Sequence, residues 1–253
     1  VVSRLVVAPT AARLVAVDDL PAGNRGLGSG YSRPPTALVP YPRAMSETLA
    51  RRERAALCNL AIEVGPEAPT LCAGWAAKDL VVHLLVRERR PLGTAGIVLT
   101  PFARFTARAS NRLARDPYGD LVHRLRSVGW LFALPGVDTV ANTIEYLVHH
   151  EDLRRAQPDW QPRRLDPADV DALWAQLGRS ISFVGRKLPV PTVLRRAGDG
   201  ATMVARKGPD PVTVTGPVVE LLLFVFGRSA VRDLLFEGPD ERVAALRAAD
   251  LSA

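Results

Sequence analysis

After Met45, apolar residues recur every three or four positions for most of the chain, and from Val190 they alternate in short runs. The first pattern predicts helices and the second predicts strands. Leu49, Leu57, Leu60 and Ala61 mark the apolar side of a helix over 46–64, with Ser46 as its cap and a Gly-Pro stop after it. The turn LCAGW leads to a second helix, AAKDLVVHLLVRERR, which ends at Pro91. A helix is expected around 101–114, a short one over YGDLVHRLRSV, and a third long one over about 138–156. Asp166 and Pro167 supply a cap and a first-turn proline for a fourth long helix, ADVDALWAQLGRSISFVGRKL. VPTVLRRA, ATMVARKG and PVTVTG are β-branched and bounded by Gly, Pro or Asp, so they predict strands. PVVELLLFVFGR predicts a helix, VRDLLFEG a strand or a helical turn, and PDERVAALRAADL a closing helix. The layout is mainly α: a four-helix body with a small α+β tail and no internal repeat.

Residues 1–44 break this pattern. They hold six of the 21 prolines, a GNRGLGSGYSRPP stretch and no helical period. The segment reads as a disordered or mis-started N-terminal extension without the apolar run of a secretory signal. The expected organisation is an extension over 1–44, a helical bundle over 45–188 and a small α+β domain over 189–253.

Composition narrows the function. Hydrophobic residues make up 47% of the 253, enough for a sizeable core. Mean hydropathy is +0.06, and no apolar run reaches the ~18 residues of a membrane span, so no membrane role is expected. A pI near 10.1 suggests nucleic acid at first. Yet only three of the 33 basic residues are lysines, and the arginines are scattered among acids rather than clustered, which argues against a phosphate-binding face. The only cysteines, Cys58 and Cys72, are too few for a disulfide framework and too far apart for a CxxC clip. They read as small core residues of a protein in the reducing cytoplasm.

The chemistry concentrates in NTIEYLVHHEDLRRA, residues 142–156. Glu145 and His149 stand four apart, hence on one helical face, with Asn142 on nearly the same stripe. The stripe borders an apolar face of Val140, Ile144, Leu147 and Val148, whereas His150 points about 100° away. An E-x3-H pair offers one carboxylate oxygen and one imidazole nitrogen, a set that suits zinc or another divalent first-row ion. His83, among Leu80, Leu84 and Val86, is expected on a buried helix that faces the pair across the bundle. Two histidines and a carboxylate describe an open, catalytic type of site. Spacing alone leaves the plainer alternative standing: a hydrogen-bonded core His83, and a Glu145–His149 pair held by arginines.

Three segments, TLCAGWAAKDLVVHLLVRE, NTIEYLVHHEDLRRA and VTVTGPVVELLLFVFGR, resemble the metal-binding family of the mycothiol-dependent maleylpyruvate isomerases, related to the DinB-like helical bundles. The resemblance runs from about Ser46 to Gly238, and the double histidine is most similar to an uncharacterised branch. It implies a DinB-like four-helix bundle with a sterol-carrier-like tail, and a divalent metal, zinc, held by His83, Glu145 and His149. It also implies mycothiol or another small thiol as cosubstrate, and an anionic substrate or the thiol meeting Arg228, for which a helix-end charge favoured by the dipole stands as an equal alternative. Ala76 departs from the threonine that the family often places before its second helix, which weakens the cap. Trp75 reads as a packing residue at this turn. His150 is expected outside the ligand set or at the surface, and Asp152 as orienting a ligand or pairing with Arg154 or Arg155. Isomerisation, thiol transfer and hydrolysis stay open as reactions. So does a non-catalytic module that binds a small ligand or partner, as a monomer or weak dimer.

Overall fold

The computed structural model describes residues 47–89, 112–127 and 137–251, within one compact unit spanning Ser46–Ala253. The expected N-terminal extension, Ser46, and most of the helix expected at 101–114 lie outside the described residues. Seven α-helices and four strands are described. They are α1 (Leu49–Val64), α2 (Ala77–Arg89), α3 (Tyr118–Arg126), α4 (Val137–Arg155), α5 (Pro167–Val184, continued by a 3-10 turn to Lys187), β1 (Thr192–Arg196), β2 (Thr202–Arg206), β3 (Val212–Gly216), α6 (Val218–Val225), β4 (Leu235–Glu237) and α7 (Asp240–Ala248).

Local chemistry sets most boundaries. Thr48 caps α1, accepting from the Arg51 N–H, so the capping residue lies two positions after the expected Ser46. Asp166 stands at the N-cap of α5 with Pro167 at its first turn, but the Asp166 side chain makes no cap hydrogen bond. VRDLLFEG resolves as a strand at its end, because Leu235 and Phe236 pair with Thr215 and Val214. The sheet order is β2-β1-β3-β4, with β1 parallel to β3 and the outer pairs antiparallel. Gly185 joins α5 to this sheet: a Cβ there would lie 2.0 Å from the Ala205 carbonyl oxygen, so no larger residue fits without moving backbone.

Two apolar clusters form the core, and α4 contributes to both. Tyr146 and Leu153 pack with Leu57 of α1, Leu80 and Leu84 of α2, and Leu121 of α3. Leu147 and Val148 pack with α5, the sheet and α6, through residues such as Leu177, Leu194, Val214 and Leu222. Each such fully buried side chain contributes roughly 1.5–3 kcal/mol. With both sides of the helix covered, the polar residues of α4 must find partners inside the protein.

The helical cluster also encloses a charge. Arg54 is 2% exposed, pairs with Glu88 at 2.5 Å and lies over the Tyr146 ring, while the Tyr146 hydroxyl donates to Glu88 at 2.6 Å. Among the described residues no helix is long and apolar enough to cross a membrane.

Candidate metal centre

The site is assembled from α2, α4 and the turn between α1 and α2. That turn is fixed by its own backbone. Gly74 takes φ +75°, a left-handed conformation open to glycine, and Thr70 Oγ1 donates to the Trp75 carbonyl at 2.8 Å. The Ala76 position lacks a capping hydroxyl, yet Asp79 Oδ2 accepts the Ala76 N–H at 3.0 Å, the return half of a capping box. The Leu71 N–H donates to the Asp152 carbonyl at 3.0 Å and so docks the turn on α4.

His83, Glu145 and His149 come together. Glu145 Oε1 lies 3.5 Å from His83 Nε2 and 3.4 Å from His149 Nε2, and one donor atom from each of the three residues lies within 4.8 Å of the others. The two imidazole rings meet edge to face at 5.1 Å, and the Trp75 ring lies 4.9 Å from that of His83. His83 was expected to be buried. Its side chain is 32% exposed, because the site opens here although Val82 and Leu84 on either side are buried. Arg87, one helical turn beyond His83, reaches the same Glu145 oxygen through Nε at 3.1 Å and donates to Asn142 at 2.6 Å. Its i+4 spacing from His83 was a readable signal.

Behind His149 stands Asp152, fully buried. Asp152 Oδ2 lies 3.0 Å from His149 Nδ1, 3.2 Å from Cys72 Sγ and 2.7 Å from Arg228 Nη2, while Arg228 Nε donates to Oδ1 at 2.9 Å. Burial works to raise the Asp152 pKa, but the hydrogen bonds from Arg228 and His149 outweigh it and bring it down to about 2. The carboxylate is therefore ionised and can only accept, so Nδ1 of His149 carries a hydrogen. Its other nitrogen, Nε2, faces Glu145.

Glu145 is ionised as well. Burial opposes its charge, but hydrogen bonds with His149 and His83 and the charges of His149 and Arg87 hold it far below the usual carboxylate range. If Nε2 carries no proton, its lone pair faces the Glu145 carboxylate at 3.4 Å, and a second proton on His149 or a cation between them turns that repulsion into attraction. Without a cation it is the proton: burial opposes it, but hydrogen bonds to Asp152, Cys72 and Glu145 raise the His149 pKa well above the ordinary imidazole value. The donor set and its electrostatics thus fit a divalent ion that replaces a proton.

The remaining expected residues divide. His150 is not at the surface; it is 6% exposed and its Nδ1 lies 2.8 Å from Glu53 of α1. Asp152 does orient a histidine, but its arginine is Arg228, because Arg154 and Arg155 both pair with Glu151 at 2.7 and 2.5 Å. Arg228 also donates to the Phe226 carbonyl at 2.6 Å and stays 17% exposed at its side chain. Cys58 is a core residue: burial pushes its thiol up to about 11, and it donates to the Val122 carbonyl. Cys72 is not; it is partly exposed beside His149 and Asp152. No spacing in the sequence signals this, because it follows from how the 71–75 turn docks.

No protein-family model and no curated protein matches this sequence. Among solved structures, a crystal structure of the mycothiol-dependent maleylpyruvate isomerase aligns with a TM-score of 0.49 and 17% identity, over 75% of this chain and 90% of that one. A histidine-to-alanine mutant of the enzyme aligns with a TM-score of 0.51 and 15% identity over the same shares. The latter likeness shows a shared fold, and it falls on the family that the sequence motifs resemble.

Proposed function

We propose that the protein binds one divalent metal ion, zinc, through His83 Nε2, Glu145 Oε1 and His149 Nε2, and uses it in a thiol-dependent transfer or isomerisation with mycothiol as cosubstrate. The observation that carries this reading is the convergence of ligand atoms from His83, Glu145 and His149 within 4.8 Å of one another. The partial exposure of His83 and Glu145 supports access from solvent. When bound, such an ion supplies a positive charge that favours the deprotonated form of a thiol or a water.

The chain's own residues do the rest. Asp152 fixes the tautomer of His149 and, with Cys72, its ring orientation. Arg87 holds the Glu145 carboxylate from the α2 side. Arg228, anchored by Asp152, offers a substrate anion its partly exposed guanidinium. Trp75 walls His83 with an apolar ring. On this reading α1, α2, α4 and α5 are the four helices of a DinB-like bundle, the sheet with α6 and α7 is a sterol-carrier-like tail, and the protein acts in the cytoplasm as a monomer or weak dimer.

Cobalt substitution tests the thiol half. A small thiol added at millimolar concentration should change the visible spectrum of cobalt-loaded protein through sulfur-to-metal charge transfer. An unchanged spectrum, in protein shown to hold cobalt at the site, overturns thiol chemistry and leaves hydrolysis or a non-catalytic metal. Arg228→Ala should leave metal content intact and weaken thiol or substrate binding.

A further inference from the structure

His149 has donors on both of its edges. Nε2 faces Glu145 and His83, while Nδ1 faces Asp152 Oδ2 at 3.0 Å and, beside it, Cys72, whose Sγ lies 3.2 Å from that oxygen. One donor atom from each of Cys72, His149 and Asp152 lies within 4.8 Å of the others. Metal bonds of about 2.3 Å to sulfur and about 2.0 Å to imidazole span up to about 4.3 Å, so one ion binds both once small side-chain rotations bring the two atoms within that reach. Cys72 is partly exposed, so an ion can arrive from solvent.

The charges select which ion. Arg228 makes two hydrogen bonds to Asp152 and keeps its positive charge at this edge. A Cys72 thiolate and the Asp152 carboxylate bring two negative charges against that one positive charge. A monovalent cation completes neutrality, whereas a divalent one leaves an excess positive charge beside a guanidinium. Thiolate sulfur with one imidazole nitrogen is a soft donor pair, which prefers Cu(I) over hard divalent ions. We infer that Cys72 Sγ and His149 Nδ1, with Asp152 beside them, form a second site for a soft monovalent cation of the Cu(I) class.

As the sulfur–metal and nitrogen–metal bonds form, the Cys72 thiol proton and the Nδ1 proton leave to solvent, with no change of oxidation state. The ring keeps its proton on Nε2, toward Glu145 Oε1. The soft-ion site stands independently of the proposed function.

Anaerobic competition against a chromophoric Cu(I) chelator tests the site. The full chain should withdraw one equivalent of Cu(I), Cys72→Ser should lower that affinity at least 100-fold, and His83→Ala should leave it within about threefold. The buried Cys58 thiol, retained in Cys72→Ser, serves as the internal control. If Cys72→Ser fails to fold, X-ray absorption on the wild-type Cu(I) protein replaces it, with sulfur and imidazole nitrogen expected in the first coordination sphere. No withdrawal of Cu(I), equal withdrawal by Cys72→Ser, or a sphere without sulfur overturns the site. Protein that takes Cu(I) but never cobalt overturns the proposed function while leaving the soft-ion site standing.

Discussion

His149 and His150 are adjacent on α4, both nearly buried, and their surroundings differ in kind. His150 enters a closed network. Glu53 receives His150 and Arg163, Glu151 receives Arg154, Arg155 and Arg163, and Arg155 reaches Glu220 at 2.6 Å. Its arginine–carboxylate ion pairs measure 2.5–2.7 Å, and each carboxylate is matched by an arginine. His149 sits in a looser, partly exposed cluster: Arg87 and Arg228 hold Glu145 and Asp152 at 3.1 and 2.7 Å, but His83 and His149 meet Glu145 only at 3.5 and 3.4 Å. One rotation of about 100° along a helix thus separates a histidine that ties elements together from the one in the proposed metal site. Short contacts closed on every side leave no place for a ligand; longer ones open to solvent do.

The largest test of that contrast is on metal affinity. His149→Ala should lower it at least 1,000-fold, about 4 kcal/mol, whereas His150→Ala should change it less than tenfold and lower the melting temperature instead. Isothermal titration with zinc or cobalt alongside thermal melts would show this. The reverse pattern would place the binding edge of α4 on His150.

Next comes the closed network. Arg155 is fully buried and joins Glu151 of its own helix to Glu220 of α6. Arg155→Met leaves both carboxylates short of a partner and should cost about 3–5 kcal/mol in denaturant unfolding, with metal stoichiometry retained. A cost below about 1 kcal/mol would show that the network adds little.

Acid separates the regions more gently. Burial raises the Glu151 pKa, but its arginine partners outweigh burial and bring it from 4.5 to about 2, and Glu53 is lowered too, by His150 and Arg163 against burial. A lowered carboxylate pKa means that the unfolded state binds more protons. The stabilisation is therefore complete above about pH 4.5 and lost as pH falls toward 2, on the order of 3 kcal/mol for Glu151. Unfolding followed from pH 5 to 2 should steepen through this window, and Glu151→Gln should flatten it.

The smallest effect concerns the N-terminal segment. We propose that residues 45–253 fold without 1–44, consistent with the compact unit over Ser46–Ala253. A chain starting at Met45 should keep its helix content, melting temperature and metal stoichiometry; a fall in any of them would tie the segment to the fold.

Much of the fold was legible because its signals are local. The Gly65-Pro66 stop of α1, the first-turn Pro167 of α5 and the alternation of VTVTG each act within a few residues. Glu145 and His149 were legible as a pair for the same reason. That His83 meets them, that Asp152 binds Arg228, and that Cys72 leaves the core are long-range outcomes of packing. Within α4 the surface was the harder part to read: the helix is buried between two clusters, so His150, expected outside the ligand set or at the surface, is an internal partner of Glu53.

The central claim is that three side chains hold one divalent ion. Elemental analysis after saturation and exhaustive dialysis measures it directly, on the wild type and on Glu145→Gln, which keeps the shape of the side chain and removes its charge. The account predicts about one ion per wild-type chain, close to none in Glu145→Gln, and the same helix content in both. An ion-free wild type, or an equally loaded Glu145→Gln, would contradict it.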